Sequence, residues 1–122
     1  IYNRPDVNKL FVKNITFLGD AAHPIVPFLG QGGCMALEDA YIFGKLLIKN
    51  RDDIAHAQRE YKRLRAPRLR MVKRMSETQG YLYHLSNPFI ISIRNFLMRN
   101  SSSTTEKRLM RIWDYDPNND LK

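Results

Sequence analysis

The chain of 122 residues holds a single cysteine, Cys34. No internal disulfide can form, which excludes a stapled secreted scaffold and makes the reducing cytoplasm the simplest compartment. Cys34 and the three histidines, His23, His56 and His84, fall at no metal-ligand spacing. A run of about eighteen apolar residues, the minimum for a spanning helix, is missing, and no signal-peptide pattern opens the sequence. Acids are scarce: 12 Asp and Glu stand against 20 Lys and Arg, a formal charge of +8. Also missing is any G-x-G-x-x-G, the strand-to-helix turn that holds a dinucleotide pyrophosphate. The chain alone is therefore not expected to hold a dinucleotide tightly.

What is present is concentrated between residues 15 and 40. An apolar run (Ile15, Phe17 and Leu18) ends at Gly19-Asp20, and a carboxylate at the end of a buried strand stands where α/β folds place ligands. A loop stiffened by Pro24 and Pro27 follows, and then Gly30-Gln31-Gly32-Gly33 opens a helix. The free N–H groups and dipole of such a helix start favour a partly negative group, and three glycines let a flat ligand approach the backbone. Taken alone, Asp20 also reads as a turn residue capping local N–H groups. Cys34 reads as a small buried side chain at the helix start, and His23 as structural or ligand-adjacent rather than as an acid–base group.

The ordered set Gly19-Asp20-Ala21-Ala22-His23-Pro24, Pro27, Gly30-Gln31-Gly32 and Glu38-Asp39-Ala40 resembles the second flavin-binding motif of the class A FAD-dependent monooxygenases. That family comprises the aromatic hydroxylases with their ubiquinone-pathway, zeaxanthin-epoxidase-like and urate-hydroxylase-like relatives. The resemblance implies that Asp20, following Gly19, hydrogen-bonds the ribityl chain of FAD and that Pro24 lies near the isoalloxazine ring. It also implies that the helix start (Gly30, Gln31, Gly32, Gly33 and Cys34) faces the N1–C2=O edge, where negative charge collects on reduction. Many members carry Asn where this chain has Cys34, and Cys resembles the zeaxanthin- and urate-type branches. FAD as cofactor, NAD(P)H as reductant and a small aromatic or isoprenoid substrate that receives one oxygen atom from O2 are all implied. No catalytic side chain and no metal is implied, because the oxygen chemistry belongs to the flavin while the protein positions and excludes water.

The fold class expected is a mostly α fragment of an α/β family. Residues 1–50 supply a short strand, a cofactor loop and a long helix from an FAD-binding domain, and residues 51–122 a helical carboxy-terminal region. The missing glycine fingerprint and the opening at Ile1-Tyr2-Asn3-Arg4-Pro5 read as the carboxy-terminal part of such an enzyme, a fragment or one half of a split protein that needs an amino-terminal partner chain. The rival reading is a non-catalytic remnant or interaction module.

The first helix is expected from Gln31 or Gly32 to about Lys49, buried over a wide arc. Two stripes define that arc: Ala36, Ala40, Phe43 and Leu47, and Cys34, Leu37, Tyr41 and Ile48. Glu38 and Asp39 suit the positive end of its dipole. Asp52 or Asp53 is the candidate cap of a second helix from Ile54 toward His84, interrupted or kinked at Pro67. Within it, Tyr61-x-x-x-Arg65-x-Pro67-Arg68 resembles a recurrent segment of the family. Residues 89–98 read as a core helix packing on the first or second, with a membrane-interfacial helix, and so a peripheral location, as the alternative. Ser103 and Glu106 have capping-box spacing for a fourth helix to about Trp113, and Trp113-x-Tyr115-x-Pro117 resembles the family's tail. The basic run from Arg51 to Arg74 reads as a solvated face, or one paired with acids outside the chain. Without a reader motif, nucleic acid is not an expected partner.

Overall fold

The computed structural model describes residues 9–26, 29–100 and 102–122. Pro27 and the opening residues Ile1 to Pro5 lie outside them. The first elements are two short strands, β1 (Phe11–Val12) and β2 (Ile15–Thr16), paired antiparallel with Phe11 opposite Thr16. The expected strand is therefore one arm of a small hairpin. Ile15 is 62% exposed and Phe17 half-buried, so among the described residues this strand is not sandwiched between layers. A single 3-10 turn, Gly19–Ala21, leads into the loop before the helices.

Four helices make up the rest: α1 (Gly32–Lys49), α2 (Ile54–Tyr83), α3 (Pro88–Asn100) and α4 (Ser102–Trp113), followed by a 3-10 helix, Pro117–Leu121. Asp53 caps α2 by accepting the His56 N–H at 2.8 Å, which fixes the turn after α1 and folds the two helices back antiparallel. Pro67 is exposed on an uninterrupted α2; it forgoes one backbone N–H on the solvent side, where water can serve the freed carbonyl. Met35, Ile42 and Leu46 of α1 meet Ala57, Tyr61, Leu69 and Val72 of α2, with Leu10 and Ala22 closing the core. The expected arc of α1 is thus corrected. Leu37, Tyr41 and Ile48 are exposed, and the buried stripe runs through 35, 39, 42 and 46.

The core-helix reading of residues 89–98 is also overturned, since no residue of α3 is buried. Length gives the reason. At 1.5 Å per residue the 30-residue α2 is about 45 Å long and the 18-residue α1 about 27 Å. The end of α2 overhangs α1, and α3 starts beyond the reach of that core and packs on α4 instead.

One glycine is demanded by the packing. Gly19 has φ +56°, and a Cβ placed there would stand 3.0 Å from the Ala36 Cβ on α1. Gly19→Ala is expected to destabilise the chain by about 1–3 kcal/mol. Chemical denaturation checks this, and a double-mutant cycle with Ala36→Gly should show favourable coupling as the steric part of the cost is relieved.

Candidate functional site

The buried stripe of α1 contains an acid. Asp39, with no solvent exposure, stands between Met35 and Ile42 on the face that meets α2. Its Oδ2 accepts the Gly19 N–H at 3.0 Å and faces His23 Nε2 in a short hydrogen bond, while its Oδ1 accepts Arg65 Nε at 2.7 Å. Arg65 is itself fully buried, with Nη1 2.8 Å from Glu38 Oε2. The other Glu38 oxygen takes Arg68 Nη2 at 2.8 Å. Arg68 also donates to the carbonyls of Arg111 and Ile112, both at 2.9 Å, and its guanidinium lies 3.8 Å from the Tyr115 ring centroid. The Tyr115 hydroxyl in turn donates to Asp120. One ionic cluster therefore ties the turn at Gly19, the loop at His23, α1, α2 and the carboxy-terminal tail.

Burying charge is costly unless every partner is matched, and here each carboxylate oxygen meets a cationic or N–H donor. Burial pushes the Asp39 carboxyl upward. The hydrogen bonds from His23 and Gly19 and the charges of His23 and Arg65 outweigh it and hold the group below the usual carboxylate range. For Arg65, burial works against the cation, and Asp39 and then Glu38 more than restore it. Burial and the bond to Asp120 push the Tyr115 phenol up to about 12. His23 is sealed from solvent, with Nδ1 lacking any partner among the described residues. Its visible work is to hold the loop against α1.

Sequence reasoning missed this cluster. Glu38 and Asp39 were expected to serve the helix dipole, but they are the anionic half of a buried network. Arg65 and Arg68 were expected on a solvated face or against outside acids, and they pair within the chain. The signal was the spacing of Arg65 and Arg68 around Pro67, recognisable as a segment but silent about its partner 26 to 30 residues upstream.

The expected site residues surround the start of α1. Gly19, buried, is bonded to Asp39, and the next residue, Asp20, is exposed. Its Oδ1 lies 4.0 Å from where a Cβ on Gly32 would stand, so the carboxylate faces the mouth of α1. Among the described residues, nothing lies within 4 Å of the open sides of Gly30, at φ +64°, and Gly33. Gln31 is the N-cap without a side-chain capping bond, and its carbonyl accepts the Met35 N–H at 2.9 Å. The N–H groups of Gly32, Gly33 and Cys34 precede that first intrahelical bond and have no intrahelical acceptor. Cys34 is exposed rather than buried. Pro24 is half-buried in the loop beyond. Among the described residues, the open sides of Gly30 and Gly33, the N–H groups without an intrahelical acceptor and the adjacent Asp20 carboxylate leave room at the start of α1 for a flat polar group.

Over 115 residues, 94% of the chain, the sequence is 36% identical to the 3-amino-4-hydroxybenzoate 2-monooxygenase of Streptomyces platensis, of which it spans 28%. It is 35% identical over 102 residues, 84% of the chain, to the 3-hydroxybenzoate 6-hydroxylase of Klebsiella oxytoca, of which it spans 25%. The chain belongs to the class A FAD-dependent monooxygenases. Another relative, the FAD-dependent urate hydroxylase of Klebsiella pneumoniae, is 41% identical over 70 residues, 57% of the chain and 18% of that protein. The chain thus spans about a quarter of the length of the curated monooxygenases it matches. No family model and no solved structure matches it. The open glycines and carboxylate at the mouth of α1 fit the FAD of this family.

Asp39→Asn leaves Arg65 short of its counter-charge and should cost about 3–5 kcal/mol in urea unfolding. Because the folded carboxyl titrates below its unfolded value of about 3.9, its contribution is full above that pH and is lost as pH falls through the folded value. Stability measured from pH 7 to pH 2 should show an acid limb for the native chain that is shallower in Asp39→Asn.

Proposed function

We propose that the chain is the carboxy-terminal, flavin-facing part of a monooxygenase that uses NAD(P)H and O2 to hydroxylate a small aromatic molecule. Residues 1–50 are, on this reading, the last piece of the FAD-binding domain, and residues 51–122 the helical region that packs on it. The names of the hydroxybenzoate and urate relatives favour an aromatic ring over an isoprenoid substrate. The observation that carries the proposal is the Asp20 carboxylate turned toward the glycine-rich mouth of α1.

Bound FAD supplies the redox and oxygen chemistry. The chain's own residues bind and orient. Asp20 would accept hydrogen bonds from ribityl hydroxyls, and the N–H groups of Gly32, Gly33 and Cys34 would stabilise negative charge on the cofactor without reorganising. Gly30 and Gln31 shape the entry to that helix start, and Pro24 would lie near the isoalloxazine ring. Gly19 and His23, bonded to Asp39, hold the loop so that Asp20 keeps its direction. These residues contain no glycine fingerprint, so on this reading the pyrophosphate half of the site would be supplied from outside them.

Titrating FAD into the chain mixed with the amino-terminal region of a relative tests this, with flavin fluorescence as readout. Tight binding is expected only for the mixture, weakened about tenfold or more by Asp20→Ala through loss of charge-assisted hydrogen bonds. Equal affinity with and without the Asp20 carboxylate, or no binding by the mixture, would instead favour a non-catalytic remnant.

A further inference from the structure

Between the overhanging half of α2 and the α3–α4 hairpin lies a cavity of about 580 Å³, within the range of roughly 300–1,000 Å³ usual for small-molecule sites. Arg70, Arg74, Arg108 and Arg111 line it, and no acid among the described residues does. Unlike Arg65 and Arg68, which meet Glu38 and Asp39, none of these four guanidinium groups has an ion pair or hydrogen bond among the described residues. Four like charges around one concavity repel, and the apolar wall behind them focuses their field into the cleft. That wall comes from Met71, Met75, Leu82, Met98 and Leu109, and methionine accommodates flexible apolar groups of varied shape.

These four arginines are solvent-exposed, and positive charge at the rim of a soft apolar floor selects a ligand with one acidic end and one oily end. We propose that this cavity binds an amphiphilic anion, a carboxylate or phosphate head group on an apolar body. The proposal is independent of the flavin reading, because none of the lining side chains belongs to the Asp39 cluster. Guanidinium forks match carboxylate and phosphate oxygens in pairs, while the cavity receives the apolar portion.

Isothermal titration of the full chain with dodecyl phosphate, below its micelle concentration, tests the assignment. Affinity should exceed that for inorganic phosphate and for dodecanol by about tenfold or more, since each supplies only half of the recognition. Arg74→Gln with Arg108→Gln should lose about tenfold, whereas Arg51→Gln with Arg59→Gln, which changes exposed arginines elsewhere, should not. Thr78→Glu, an acid at an exposed lining position, gives the same loss without removing any arginine and stands in if the double variant folds poorly by circular dichroism. A second arm uses phosphatidylglycerol vesicles. Binding abolished by the same double variant identifies a bilayer head group as the source, and monomer binding without vesicle binding identifies a free amphiphile. Equal affinity for dodecanol, or equal loss in the remote arginine pair, overturns the proposal.

Discussion

A carboxylate stripped of water and answered from three directions organises this molecule. Asp39 receives the Gly19 N–H, the His23 ring and the Arg65 guanidinium, so the turn, the loop and two helices share one centre of charge. None of these attachments is worth much on the protein surface, where water competes for every partner. Inside, an unmatched member would be severely penalised, and geometry follows from that penalty. The seating of Gly19 against Ala36 is set by the same centre, and with it the direction in which Asp20 points.

The helices were largely readable from local rules. The Asp53 cap, the helix start at Gly32 and the end at Lys49 follow from short-range chemistry and appear as expected. The family motif between Gly19 and Ala40 was recognisable because its glycines and acids come in a fixed order. The buried face of α1 was not readable, for two reasons. That helix is apolar nearly all round, which leaves its periodicity ambiguous, and its true inward stripe contains an aspartate that hydropathy assigns to solvent. The partners of Asp39 lie 16 to 26 residues away, beyond any spacing rule. The reading of α3 failed differently: its composition suits a core, but the lengths of α1 and α2 decide whether a core exists at that end.

Arginine meets two fates along α2. Near its middle, Arg65 and Arg68 are drawn inside by acids on α1, and the stacked Tyr115 covers them. Past the start of α1 no such acids are available, and Arg70 and Arg74 turn to a cleft shared with α4. Helix length thus divides one basic stretch into an internal fastener and an external field.

The threefold attachment of Asp39 also constrains how the sequence can drift. A buried ion pair with a single partner can be exchanged for two apolar residues, often without loss. Here a matching change at Arg65 would still strand the amide of Gly19 and the imidazole of His23. Single substitutions of the aspartate therefore leave at least one buried partner unanswered, so divergence among descendants of this chain should leave the acid in place while α3, which buries no residue, changes more freely.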